Sequence, residues 1–303
     1  MSVVYIKNAD IDRSKWDACI STADNGLIYG YSFYLDAMSK QWDALVMGDY
    51  SIVMPLTWNR KYGIYYLYQP FFMASLGVFG NKLSTEIVHL FLTSIPKRFR
   101  YWDIYLNAGN LFKVSQYEFY IRRNFTLDLH KSYSELNANY SSNHIRNIKK
   151  AQELQCYIKK NIPITSIIEL AQKQSGTFSP VTARDYNNLV KVYDALHAQD
   201  KAGTYGVYDK SRALLASCAF FFSHGRAYYI LVGNEASGRS KGVSHLLIDS
   251  FIKEYAGQKL LLDFEGSNIP SLAHYYKSFG AKEENYPGIK LNRLSAVIKL
   301  FKK

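Results

Sequence analysis

Three cysteines, Cys19, Cys156 and Cys218, are all that this chain carries, and no two stand in CxxC spacing. An odd number without that spacing suggests neither a disulfide framework nor a thiolate zinc site. No apolar run approaches the roughly 18 residues that span a bilayer. The N-terminal MSVVYIKNADIDRSKW has no apolar stretch of signal-peptide length. The expected address is therefore the cytoplasm. His89, His197, His224 and His274 fall in no HExxH or other metal spacing. Walker A is missing, which counts against a P-loop reading. Repeats at solenoid periods and low-complexity segments are missing as well.

Carboxylates are the scarcer charge, with 25 Asp plus Glu against 37 Lys plus Arg and a net +12. Such a surplus raises the local concentration of anionic partners such as phosphorylated cofactors, nucleic acid or acidic lipid. It is equally the mark of an ordinary basic protein. Rings are plentiful: 26 Tyr and 17 Phe in 303 residues. They can build large cores and line a deep apolar cleft. A length of this order suits two domains of about 150 residues.

Two stretches read as similar α/β layouts. The first has short helices near 12–21 and 31–39, strands at 44–47, 51–58 and 64–68, a helix at 84–95 and a strand at 101–106. Two-residue alternation, or short apolar runs bounded by Gly and Asn, mark the strands. The second begins near Thr126, which sets the expected domains at 1–125 and 126–303. Strands at 126–129, 156–159, 205–208, 213–222, 227–232 and 260–263 are expected there. Helices are expected at 133–140, 142–154, 165–175, 183–198, 240–256 and 271–279. In the 240–256 helix, Val243, Leu246, Leu247, Phe251, Ile252 and Tyr255 share one side, and His245, Asp249 and Lys253 fall on the other. Strand 227–232, that helix and strand 260–263 imply a right-handed βαβ crossover. Ligands sit beyond the carboxyl ends of such strands.

Two loops lie on that rim. Gly233-Asn-Glu-Ala-Ser-Gly-Arg-Ser-Lys-Gly-Val-Ser244 joins a strand to a helix. Gly238 and Gly242 let backbone N–H groups approach an anion, and Arg239 and Lys241 add charge. The same residues also make an ordinary surface turn. The second loop follows Leu260–Leu262. Asp263 and Glu265, two residues apart, share a face if the strand persists. Gly266 to Pro270 turn the chain into a helix that ends at Gly280. Tyr276 lies on its last turns, where a phenol can hand a proton to a leaving group. The plain alternatives are a capping Asp263 and a half-buried core tyrosine.

These segments resemble the GNAT superfamily, and more closely its double-domain relatives of the Fem type. Arg239-Ser-Lys-Gly242-Val-Ser244 looks like the family's R/Q-x-x-G-x-G/A acyl-carrier loop, with Ser244 in place of Gly or Ala. The run from Asn268 to Gly280 resembles its N-x-x-A-x-x-x-Y-E-K-x-G-F helix. It is one residue longer after Asn268, and Ala281 stands where Phe is common. Tyr276 matches the family's general-acid tyrosine. Trp42–Asp49, Val53–Leu56 and Tyr68-Gln-Pro70 look like the degenerate first domain of the Fem branch. Asn143–Ala151 looks like the basic helix that opens its second domain.

The resemblance implies an α/β fold with mixed sheets, two GNAT-like domains in tandem. It also implies direct acyl transfer to an amine on a small molecule or peptide. In that scheme the backbone of Val232, Gly233 and Asn234 polarises the donor carbonyl. Gly238, Arg239, Ser240, Lys241, Gly242, Val243, Ser244 and Asn268 complete the donor site. Asp263 or Glu265 takes the amine's proton, and Tyr276 returns one to the leaving group. Acyl-CoA, acetyl-CoA for example, is the first donor. Aminoacyl-tRNA serving a cell-wall precursor is the alternative, and a binding protein with decayed cores is the third reading. His144, Arg146, Lys149 and Lys150 read either as a patch for cofactor phosphates or tRNA, or as a solvated helix face. The basic amphipathic tail Arg293–Lys303 reads either as a membrane-surface contact or as a docked terminal helix.

Overall fold

The computed structural model describes residues 2–111, 117–176, 179–266 and 268–294. In chain order its elements are β1 (Val3–Ile6), α1 (Arg13–Thr22), α2 (Ser32–Met38), β2 (Gln41–Met47), β3 (Ile52–Lys61), β4 (Ile64–Tyr68), β5 (Phe79–Gly80), α3 (Thr85–Ser94), β6 (Phe99–Tyr105) and β7 (Glu118–Asp128). There follow α4 (Tyr133–Asn137), α5 (Ser142–Glu153), β8 (Tyr157–Lys160), α6 (Ile164–Ser175), α7 (Ala183–His197), β9 (Ala202–Tyr208), β10 (Leu214–Ser223) and β11 (Arg226–Asn234). The last are α8 (Ala236–Arg239), α9 (Val243–Tyr255), β12 (Leu261–Asp263), α10 (Pro270–Lys277) and β13 (Lys282–Asn292). Two compact units result. One takes residues up to Arg122 and those from Asn285 on, and the other is Arg123–Glu284.

In the first unit β1, β2, β3 and β4 run antiparallel in sequence order. β4 then lies parallel to β6. The Gly288–Asn292 part of β13 closes the series on β6, antiparallel. Period-two alternation puts Leu67, Trp102, Ile104 and Ile289 on one face, where they pack with Val88, Phe91 and Leu92 of α3. Ser84 starts α3 by accepting from the Ile87 N–H. β13 escaped the sequence reading because Pro287 and Gly288 interrupt its alternation.

In the second unit Thr126–Asp128 of β7 pair with β12, which lies parallel to β11. Antiparallel β10, β9 and β8 follow. Leu247, Phe251 and Ile252 of α9 sink into the core with Phe220, Tyr229 and Leu262. Phe220 and Phe251 stack at 3.8 Å between centroids. The opposite side of α9 is partly covered. Asp249 is only 5% exposed and accepts a 2.9 Å bond from the Tyr133 hydroxyl. A 12-residue helix, α5, packs along α9 and buries Ile148 and Ala151. Helical periodicity shows that a helix has a polar side, and a second helix can still cover it.

Candidate active site in the second unit

β11 and β12 pair only from Arg226/Leu261 to Tyr228/Asp263. β12 then stops, whereas β11 runs on to Asn234. A bulge lies at the parting: Ala219 faces Leu231 and Phe220 faces Tyr229, so Ile230 is the extra residue. A bulge bends and twists its strand, here β11. Phe264 leaves the other way, its N–H bonded to the Phe125 carbonyl at 3.0 Å. A cavity of about 500 Å³ opens where the strands part. β11 supplies Tyr229, Val232 and Asn234 to its wall, and α9 supplies Ser244 and His245. Ser271, Leu272, Tyr275 and Tyr276 of α10 and Gln174 of α6 complete it.

The donor-side residues expected from sequence divide sharply. Val232, Asn234 and Ser244 line the cavity, and the Ser244 hydroxyl donates to Asn234 Oδ1 at 2.7 Å. The Asn234 N–H is already taken by Gln174 Oε1 at 2.6 Å, so it does not stand open for a carbonyl. Gly233 serves packing. A Cβ there would come within 2.8 Å of Ala171 N, because α6 crosses β11 at that point. Gly238 similarly makes room for the Leu215 carbonyl, at 2.9 Å from such a Cβ. Gly242 has φ +73°, and its Cβ would lie 2.2 Å from the Asn147 carbonyl oxygen of α5. Ser240 is exposed, and Val243 is buried in the core. Lys241 faces Asp209 at 3.7 Å. The Arg239 side chain lies outside the described residues. Asn268 is not on the wall; its Oδ1 accepts the Arg123 N–H at 3.0 Å and ties the loop to β7.

Asp263 is withdrawn from the cavity. It is 4% exposed, and one oxygen pairs with Arg226 Nη1 at 2.9 Å. The other accepts from Asn124 Nδ2 at 2.8 Å and from the Glu265 N–H at 3.0 Å. Arg226 also grips both oxygens of Glu284, each at 2.9 Å. Burial raises the Asp263 carboxyl, and the Arg226 charge offsets this only in part. The group is committed to a closed network. Glu265 is half-buried, with φ +64°, and its charge is felt by Tyr276. The Tyr276 ring stacks on Phe264 at 4.5 Å. Burial, and then the Glu265 charge, raise its hydroxyl to about 12, so it keeps its proton at neutral pH.

Sequence reasoning passed over most of the remaining wall. His144, expected on an exposed basic face, is 2% exposed. Its Nε2–H donates to the Tyr275 carbonyl at 3.1 Å, which fixes the tautomer because a carbonyl only accepts. Nδ1 faces Ser141 Oγ at 3.3 Å. The His144 ring meets His245 edge-on at 4.4 Å. Burial lowers both histidines to about 4, so both are neutral at pH 7. No lining residue is charged at that pH. The Tyr275 hydroxyl and His245 Nδ1 are shielded from solvent and have no hydrogen-bond partner among the described residues. Only Tyr276 had a sequence signal in this group.

The first unit has the corresponding parallel pair, β4 and β6, but its own chain laces the gap shut. The Leu76 N–H donates to the Tyr105 carbonyl at 2.9 Å, and the Leu76 carbonyl accepts from the Asn107 N–H at 2.7 Å. Gln69 Oε1 takes the Tyr105 N–H at 3.1 Å. The space left beside Leu56, Leu67 and Gln69 is about 10 Å³, roughly one water.

No protein-family model matches the chain, and no curated protein matches it in sequence. Solved structures do match. FemX is similar over 100% of both chains, at 13% identity with a TM-score of 0.69. An acetyltransferase of the GNAT family from Colwellia psychrerythraea covers 96% of this chain and 100% of its own, at 14% identity and TM-score 0.53. The C-terminal domain of a putative lysylphosphatidylglycerol synthetase from Agrobacterium fabrum covers 96% and 94%, at 9% identity and TM-score 0.53. The fold is thus α/β with mixed sheets, FemX-like over the whole chain and consistent with two GNAT-like domains in tandem. No helix among the described residues is long and apolar enough to cross a membrane. Residues 295–303 of the basic tail lie outside the described residues.

Proposed function

We propose that the second unit transfers an acyl group from an activated donor to an amine, with the carbonyl lodged where β11 and β12 part. The observation that carries this reading is the open edge of β11 beside Tyr276. The Glu235 N–H turns to β10, bonding the Leu215 carbonyl at 2.8 Å, and the Asn234 N–H turns away from it to Gln174. Two-residue alternation directs the Val232 N–H to the same open side, where it can polarise a donor carbonyl. The amine nitrogen attacks that carbon and loses a proton to Glu265, directly or through water. The bond to the leaving oxygen or sulfur breaks as Tyr276 donates its proton there. An alkylammonium has a pKa near ~10, so a base is needed before attack at neutral pH. Asp263 is not given that role, because its carboxylate is already shared by Arg226, Asn124 and the Glu265 N–H.

The Asn147 carbonyl against Gly242 bears on the donor. It covers one side of the loop that a CoA pyrophosphate would use, and Lys241 faces Asp209. Both favour an aminoacyl ester carried on tRNA, as does the whole-length likeness to FemX. Acyl-CoA remains the second reading, supported by the loop's Arg-Ser-Lys-Gly sequence. The acceptor would then be a small-molecule or peptide amine. A thermal shift separates the donors, since a ligand at ~100 times its Kd adds roughly 2.7 kcal/mol. A shift with aminoacyl-tRNA and none with millimolar CoA supports the first, and the reverse supports the second. Tyr276→Phe should lower turnover on the active donor by roughly 10² to 10⁴-fold with little change in Tm. Unchanged turnover would remove Tyr276 from the mechanism.

A further inference from the structure

We propose that the exposed face of α5 holds the phosphates of the acyl carrier, through Arg146, Lys149 and Lys150. This rests on reading the cavity as the acyl site. Positions i, i+3 and i+4 of a helix share a face, and all three side chains are exposed. The opposite face, His144, Ile148 and Ala151, is buried. None of the three cations is ion-paired among the described residues. Arg146 bonds only the neutral Asn143 Oδ1, at 3.2 Å.

What makes this more than a solvated helix is where α5 is fixed. His144 holds the Tyr275 carbonyl and backs His245, both residues of the cavity wall. One turn on, the Asn147 carbonyl closes over Gly242. Helix α5 therefore occupies the ground beside the loop that sequence assigns to phosphates. The one described cation of that loop, Lys241, lies within reach of Asp209. The cavity wall itself carries no charge at pH 7, so it suits the uncharged end of a donor. A carrier whose reactive end enters the cavity past Ser244 and His245 extends its anionic part beside α5. Its oxygens would meet three unneutralised cations there, and charge-assisted bonds form. The phosphates come either from the diester backbone of RNA or from a CoA-type nucleotide, and the same cations serve both.

The test uses the full chain and an Arg146→Ala/Lys149→Ala/Lys150→Ala variant, since alanine at exposed helix positions preserves the helix. Affinity for unfractionated tRNA and for CoA is measured from low to moderate salt. The variant should bind the true carrier at least tenfold more weakly, and the slope of log K against log salt should fall by about 2 to 3. A loss confined to tRNA assigns the carrier as RNA, and one confined to CoA assigns a nucleotide thioester. A control variant of α7, Arg184→Ala/Lys191→Ala, should keep the wild-type slope. Unaltered affinity and slope on both arms overturn the proposal. So does a Lys241→Ala variant that alone reproduces the loss, or a wild type that binds neither carrier. An acyl thioester of N-acetylcysteamine has no phosphate and reports on the cavity alone. Its failure to bind the wild type sinks the acyl reading and the carrier with it. Its binding, with unaltered salt slopes in the triple variant, sinks the α5 assignment alone.

Discussion

Lowering the pH from 7 to 4.5 should cost the second unit up to about 5 kcal/mol of stability through His144 and His245. His144 is buried and His245 half-buried, both as neutral rings with folded-state values of about 4, against about 6.5 in an unfolded chain. A depressed value means that the unfolded chain takes up protons first. The stabilisation is therefore present above about 6.5 and is lost as the pH falls toward 4. Linkage gives about 2.4 kcal/mol per histidine between those two pH values. The pair total is an upper bound, because His245 is only half-buried and lines the open cavity, where water screens its charge. Even half of it is a large share of the ~5–15 kcal/mol that holds a typical domain.

Urea unfolding at pH 7.0, 5.5 and 4.5 would measure the loss. His245→Phe keeps a ring in place but cannot titrate, and His144→Gln keeps a donor to the Tyr275 carbonyl. Each should remove roughly half of the pH dependence, with any constant loss of stability subtracted. Glu283, held at about 2 by Arg123 and Lys277, is stabilising above its ordinary range and loses this as the pH falls toward 2. It sits at the surface, so added salt screens it and leaves the histidine contribution. A flat profile from 6.5 to 4.5, or the same slope in both variants, refutes the burial argument.

Three further outcomes follow from the same geometry. Asp263→Ala should destabilise by roughly 3 kcal/mol or more, because it strips Arg226 of a buried partner. Glu265→Gln should instead lower turnover at nearly constant Tm, and denaturant melts beside single-turnover assays tell the two apart. Gly242→Ala forces a Cβ onto the Asn147 carbonyl at φ +73°, and urea unfolding should show a loss of about 2 kcal/mol or more. A neutral result there would mean that α5 does not press on the loop. Tyr275→Phe removes a hydroxyl that has no partner among the described residues, so calorimetry should find stability unchanged or raised by up to about 1 kcal/mol. A clear loss would show that the hydroxyl is bonded in solution.

The sequence on its own determined the elements that bring the cavity about. The apolar triplet Leu260–Leu262, the three-and-four spacing of Leu247 and Phe251, and the punctuation at Gly242, Pro270 and Gly280 are local signals. Local signals suffice for a βαβ crossover and for Tyr276 on its following helix. The roles of Gly233, Gly238 and Gly242 needed the fold. A glycine read as an anion cradle and one read as a contact for a crossing backbone look alike until α5 and α6 are placed. Asp263 is the same kind of case. Arg226, 37 residues before it, and Glu284, 21 after, decide that its carboxylate is paired. His144 sat in a basic run, and only the packing of α5 on α9 turned it inward. The lacing of the first unit by Leu76 is likewise a pairing between distant segments. Periodicity reports the faces of an element, whereas which partner covers each face is settled by contacts far apart in the chain.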